Sequence, residues 1–184
     1  RSSDLWGNTD RVLTEEQNES VAMQTFSGLD LTKRIVEGQA GIDGMTAAKR
    51  CWNYQKGGFQ WYLPCLMELG VLCAYRDEIN KAMKEIGCPD ECLLPTEDSD
   101  ETWVWSSSEG SQGVSWLVNF SNGSFGNTFK SFSYMVRAVA AFQPSPSLLT
   151  GEAKSNDCLH SDEALINMLR ERGYKGELTK TLTI

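Results

Sequence analysis

The apolar positions of this chain change period part-way along it. Leu66, Leu69, Leu72, Ile79, Met83 and Ile86 recur at three-, four- and seven-residue steps, which places them on one face of a helix. Glu68, Arg76, Asp77, Glu78, Lys81 and Lys84 occupy much of the remaining surface, and Gly87 with Pro89 stops the helix. From Trp103 onward the pattern shortens to that of strands. Trp116, Val118 and Phe120 fall on one face, with Ser115, Leu117 and Asn119 on the other. The predicted strands are 103–105, 115–120 and 133–142, the last so continuously apolar that it should be central. Ser121-Asn122-Gly123 is turn chemistry, and 110–114 and 124–132 read as loops.

The first sixty residues give weaker signals. Residues 11–13 read as a strand start and 14–17 as a capped helical turn. Short helices are predicted over 31–37, ending at Gly38, and over 46–54, before Gly57-Gly58. A brief strand over 59–63 closes at Pro64. Residues 88–101 form an acidic loop. After Phe142, Gln143-Pro144-Ser145-Pro146-Ser147 is a stiff linker. It leads to a helix capped by Ser161-Asp162-Glu163 and ending at Gly173, then a terminal strand over 177–184. Two parts follow: a main domain over 1–142, and a linker with a small helix–strand accessory tail over 143–184.

Composition narrows the function classes. A chain of 184 residues, 40% hydrophobic and 10% aromatic, can bury one real core. A net charge of −8 argues against a nucleic-acid backbone as partner. No apolar run approaches about 18 residues, so membrane insertion is not expected. Arg1-Ser2-Ser3-Asp4-Leu5-Trp6 holds no apolar stretch of a signal peptide. The six cysteines are expected as reduced thiols. Cys88, Cys92, Cys158 and His160 follow no zinc-module order, and Glu97, Asp98, Asp100 and Glu101 lack the spacing of a calcium loop. No metal or cofactor is expected.

The window 103–142 departs most from the rest. Its only charges are Glu109, Lys130 and Arg137, a density about threefold below the 23% of the whole chain. Those forty residues hold nine aromatics, nine serines, four glycines and three asparagines. Rigid rings supplying area, interleaved with small polar groups supplying adaptable hydrogen bonds, are the composition of a binding surface.

Five landmarks then occur in a recognisable order: Ala47-Ala48-Lys49-Arg50-Cys51; Gly57-Gly58-Phe59-Gln60-Trp61-Tyr62-Leu63-Pro64 before a helix; Trp105-Ser106-Ser107-Ser108-Glu109; Val118-Asn119-Phe120-Ser121-Asn122-Gly123; and Val136-Arg137-Ala138-Val139. Over about residues 29–142 the chain resembles the C-type-lectin-fold domains of bacterial and phage adhesins. Among these it is most similar to the variable proteins of diversity-generating retroelements in gut bacteria and their phages. The resemblance implies an α+β, C-type-lectin-like fold, with two helices packed on a twisted, mostly antiparallel sheet and long irregular loops. It also implies a hypervariable ligand-binding face. An error-prone reverse transcriptase rewrites chosen codons, chiefly adenine-bearing Asn codons, while the scaffold stays fixed.

On that reading the diversified, ligand-binding positions are Val104, Ser111, Gly113, Val114, Leu117, Ser124, Thr128, Phe129, Ser131, Phe132, Ser133 and Met135. Ser, Thr, Gly, Val, Leu and Phe can all arise from AAY codons by exchange of adenines; Met cannot. Trp105, Glu109, Trp116, Asn119, Phe120, Asn122, Gly123, Val136 and Arg137 match the fixed framework. The implied partner is a protein or glycan receptor on a cell surface, with the chain at a cell surface or on a virion. A homo-oligomer or display on a larger assembly fits the same reading. The family's diversified segment usually ends its gene, whereas 42 residues follow Phe142 here.

Plain structural roles compete at several positions. Phe129 and Phe132 could be core, Arg137 a cation bonded to loop carbonyls, Trp105 and Trp116 packing residues, and Glu109 an acceptor for nearby main-chain donors. Two other functions use the same residues: a fixed glycan-binding adhesin domain, or an assembly module whose Phe-rich face is a permanent interface. Catalysis is not expected. The window lacks the paired cysteines of the formylglycine-generating oxidases that share this fold, and the sole histidine, His160, lies in the tail.

Overall fold

The computed structural model describes residues 3–7, 11–40, 43–96 and 102–141. The chain divides into two compact units, Arg1–Phe142 and Gln143–Ile184. The expected tail helix and strand, the acidic cluster Glu97–Glu101, Phe142, Cys158 and His160 lie outside the described residues.

The first unit is α+β. Its main sheet has the order β1-β6-β3-β4-β5, built from Ser3–Leu5, Ser133–Met135, Trp103–Glu109, Val114–Asn119 and Phe125–Phe129. Neighbours run antiparallel except β6 beside β3, which are parallel, so the sheet is mixed. A second, two-stranded antiparallel sheet pairs β2 (Trp61–Tyr62) with β7 (Val139–Ala140).

Helices cover both faces of the main sheet rather than one. On one face, Leu66, Leu69 and Cys73 of α4 (Leu66–Ala74) and Ala22 of α1 (Glu19–Ala22) meet Val104, Trp116, Val118, Phe120 and Met135. On the other, Ile35 of α2 (Gly28–Gly38) and Ala47, Ala48 and Cys51 of α3 (Ala47–Trp52) meet Trp6, Leu63, Trp105 and Leu117. Burying both sets of alternating side chains explains why β3 and β4 carry buried residues at nearly every position. It also explains the serines at 106, 107, 108 and 115, which are fully buried and small enough for close packing.

The local signals explain most boundaries. Thr46 caps α3, its hydroxyl accepting from Lys49 N at 3.5 Å. Glu68 reaches back to accept from Cys65 N at 2.9 Å, fixing the start of α4 at the end of the Trp61–Pro64 corner. The expected 66–86 helix is two. It breaks at Tyr75, and α5 (Arg76–Glu85) leaves the sheet, so Ile86 is exposed although its spacing matches the core stripe. The expected 133–142 strand is also two, β6 and β7, in different sheets. Residues 11–17 form neither the strand start nor the helical turn. They run as an irregular segment whose main chain bonds to Glu109. β5 occupies most of a stretch that reads as loop.

Candidate functional site

The surface at one end of the main sheet is built from two adjoining connections. Residues 110–113 link β3 to β4, and 130–132 link β5 to β6. Val114 opens β4 opposite Phe129, the last residue of β5, and Lys130 N donates to Gly113 O at 3.0 Å. Gly110 N and Ser111 N both donate to Val114 O, closing the first connection tightly. Phe132 N donates to Phe129 O at 3.0 Å, so the second connection is a tight turn that throws two rings outward. The Phe129 and Phe132 rings meet edge to face, centroids 5.8 Å apart, yet 59% and 49% of their surfaces stay in solvent. Ser131 and Ser133 are exposed beside them; Ser111, Gly113, Val114 and Thr128 are half-buried. A Cβ built on Gly113 meets open space.

This surface rests on a buried ion pair. Lys130 Nζ lies 2.5 Å from Glu109 Oε1, and both side chains are wholly inaccessible. The ammonium also donates to Gln112 O at 2.9 Å and stands 4.6 Å from the centre of the Trp6 ring. Glu109 Oε2 accepts from Leu13 N, Thr14 N and the Thr14 hydroxyl at 2.6–2.9 Å. Two charges taken out of water are tolerable because every direction around them is filled by a partner of fitting sign. The pair ties together the N-terminal segment, β3 and both connections. The rings above are therefore displayed on a rigid base.

Three of the expected contact positions are corrected. Val104, Leu117 and Met135 are buried and cannot touch a ligand in this state. Val104 and Met135 lie opposite each other in β3 and β6 and pack under α4. Leu117 faces the α2–α3 side, where strand alternation suggested solvent. Ser124 is exposed but precedes β5, whereas the rings follow its other end, about 17 Å away for a five-residue strand. The eight remaining positions, Ser111, Gly113, Val114, Thr128, Phe129, Ser131, Phe132 and Ser133, come together.

Comparison of the chain with protein-family models, curated proteins and solved structures finds no match.

Among the framework positions, Trp105 and Trp116 are core, their indoles donating to Asp4 O at 3.1 Å and Gln17 O at 2.8 Å. Asn119 Oδ1 accepts from Ser121 N and its hydroxyl, Asn122 Oδ1 from Ser124 N, and Gly123 has φ +76°. Together these fix the β4–β5 turn. Arg137 donates to Cys92 O at 2.7 Å beside a groove of about 450 Å³ lined by Phe59, Trp61, Leu72 and Ile79. Lys130, Trp6 and Thr14 were not singled out from sequence. The available signal was a lone lysine in an almost uncharged window with a lone glutamate 21 residues before it. Two isolated opposite charges in apolar sequence are what a buried pair looks like.

No helix among the described residues is long and apolar enough to cross a membrane, and they hold no group of three metal-ligating side chains. Cys51, Cys65, Cys73, Cys88 and Cys92 are free thiols. Burial pushes the Cys51 thiol up to about 12 and raises Cys65 as well, so neither is a ready nucleophile near neutral pH.

Proposed function

We propose that this protein is a receptor-binding protein of C-type-lectin-like architecture whose binding face is diversified by a retroelement. The face comprises Ser111, Gly113, Val114, Thr128, Phe129, Ser131, Phe132 and Ser133. One observation carries the reading: two large exposed rings, braced against each other among small polar residues, stand at the end of β5 and in the turn after it, anchored by the sealed Glu109–Lys130 pair. A folding core has no use for apolar rings in water, whereas a recognition patch places its aromatic anchors there. The separation of roles supports diversification. Residues on the face have room for other side chains, as the open space at Gly113 illustrates, while those beneath are over-determined by packing and hydrogen bonds. Binding proceeds by shape and apolar contact, and many copies on a virion or cell surface would raise a weak single-site affinity.

Sequencing this locus from several isolates tests the proposal. Substitutions should concentrate at adenine-matched codons of the eight face positions, with Glu109, Lys130, Trp105, Leu117 and Met135 unchanged and an adenine-rich near-repeat close to a reverse transcriptase gene. Substitutions spread evenly along the gene would remove the diversification element. A fixed binding face would then remain, to be tested by glycan-array and receptor-capture measurements on the Phe129→Ser/Phe132→Ser variant.

A further inference from the structure

The outer edge of β5 is built to meet itself. β5 ends the main sheet, and among the described residues no strand pairs with its outer side. Which main-chain groups face outward follows from its pairing with β4. Ser124 O accepts from Asn119 N at 2.8 Å, and Lys130 N donates to Gly113 O at 3.0 Å. Even-numbered residues of this stretch thus turn their main chain toward β4, and Phe125, Asn127 and Phe129 turn theirs outward. Phe129 O already accepts from Phe132 N, with a second lone pair remaining.

Among the described residues the exposed edge carries none of the features that keep edges apart. It contains no lysine, proline or other charge, and its register with β4 runs without a bulge from Val114↔Phe129 to Val118↔Phe125. Its sequence, Phe125-Gly126-Asn127-Thr128-Phe129, keeps Phe, Asn and Phe at the first, third and fifth positions when read in the other direction, with only Gly126 and Thr128 exchanged. An antiparallel partner related by a twofold axis at Asn127 would set Phe125 opposite Phe129 of the second copy. Asn127 would face its own equivalent, and Gly126 would face Thr128. That arrangement makes about six main-chain hydrogen bonds and two cross-strand aromatic pairs, with no like charges opposed.

We infer that β5 pairs with β5 of a second copy of this chain, joining two main sheets into one across a twofold axis. A foreign peptide would find the same main-chain groups but not the matched rings. Self-association is therefore the occupant that the sequence symmetry selects. The inference uses the main chain of β5 together with the Phe125 and Phe129 rings, and leaves Phe132, Ser131 and Ser133 of the proposed binding face outside the seam. It also places two such surfaces on one particle.

Sedimentation equilibrium of the full chain over a wide concentration range should show a reversible monomer–dimer equilibrium. Asn127→Lys sets two ammonium groups opposite each other on the axis, and Asn127→Pro removes an outward donor without touching the bonds to β4. Both should be monomeric, with thermal unfolding close to the parent. Asn127→Cys gives an independent readout. Hydrogen-bonded partners across antiparallel strands have Cα atoms about 5.5 Å apart, within the range a disulfide spans. Mild oxidation should then yield a covalent dimer absent from the parent chain. A parent that stays monomeric at the highest concentration, a dimer that survives both edge variants, or no gain in cross-linking would each overturn the assignment.

Discussion

At the scale of single residues, burial decides what each side chain of the uncharged window does. Lys130 and Glu109 are held by opposite charge and by the donors of Leu13 and Thr14, so removing one leaves the other charged in the interior. Loss of one partner of such a pair costs about 3–5 kcal/mol. Lys130→Met should therefore lower stability by that order in urea titration, and a change below about 1 kcal/mol would show the pair is not sealed. Phe132 and Leu117 make the opposite contrast. Phe132→Ser should change stability by no more than about 0.5 kcal/mol while abolishing receptor capture. Leu117→Ala should cost about 2–5 kcal/mol by opening a cavity under α2 and α3. Cys51 adds a pH dependence. Its folded thiol keeps its proton to about 12, whereas the unfolded thiol releases it near its ordinary value of 9.0. Between those values the unfolded chain binds fewer protons, so stability is full below pH 9 and falls as pH rises toward 12. Urea midpoints at pH 8 and pH 10.5 should differ in that direction for the parent, and less for Cys51→Ala.

At the scale of elements, what the sequence made legible was set by how many faces each element buries. The 3.6-residue stripe placed α4 correctly because one face of α4 meets the sheet. Its continuation into α5 misled: the spacing runs through Tyr75 with no proline or glycine within four residues of it, and tertiary packing turns the chain there. Alternation identified β4 but not the fate of Leu117, since period two separates inside from outside only when one face is wet. β5 was hidden by Gly126 and Asn127, residues depleted in strands, and is imposed by β4 through five paired positions. Gly126 also suits close packing there: a Cβ would stand 3.1 Å from the Trp103 ring, tighter than an ordinary contact. Of the candidate face, the aromatics and small polar residues were visible as composition. Their anchor was visible only as two lone charges 21 residues apart, because the other donors to Glu109, Leu13 and Thr14, lie nearly a hundred residues earlier in the chain. Gly28 supplies a test at this scale. By helix propensity, Gly28→Ala at the start of α2 should gain up to about 1 kcal/mol. Its Cβ would instead stand 2.8 Å from Cys65 N and 2.1 Å from Glu68 Oε2, at the start of α4. The main chain cannot retreat without opening the α2–α4 corner, so sterics outweigh propensity. Calorimetry should show a clearly lowered Tm; an unchanged or raised Tm would mean that the corner yields.

At the scale of the whole molecule, charge and recognition are kept apart. The chain carries −8, yet the sole charged side chain among residues 110–133 is Lys130, which is sealed and neutralised by Glu109. Residues 110–133 themselves offer a ligand rings, hydroxyls and main chain, and no charged side chain other than the sealed Lys130. The net charge then acts only as a distant field, screened over about 8 Å at physiological ionic strength. This contrasts with a polyanion binder, whose affinity falls by about 10³–10⁵ between about 50 and 200 mM salt. The expected result is a receptor affinity that changes less than about threefold over the same salt range. Burial of apolar area should also give the interaction a negative heat-capacity change. Titration calorimetry at several temperatures and salt concentrations measures both. A steep loss of affinity with salt would place the contact on the charged remainder of the surface. The exposed rings would then be released for the role of a protein–protein seam.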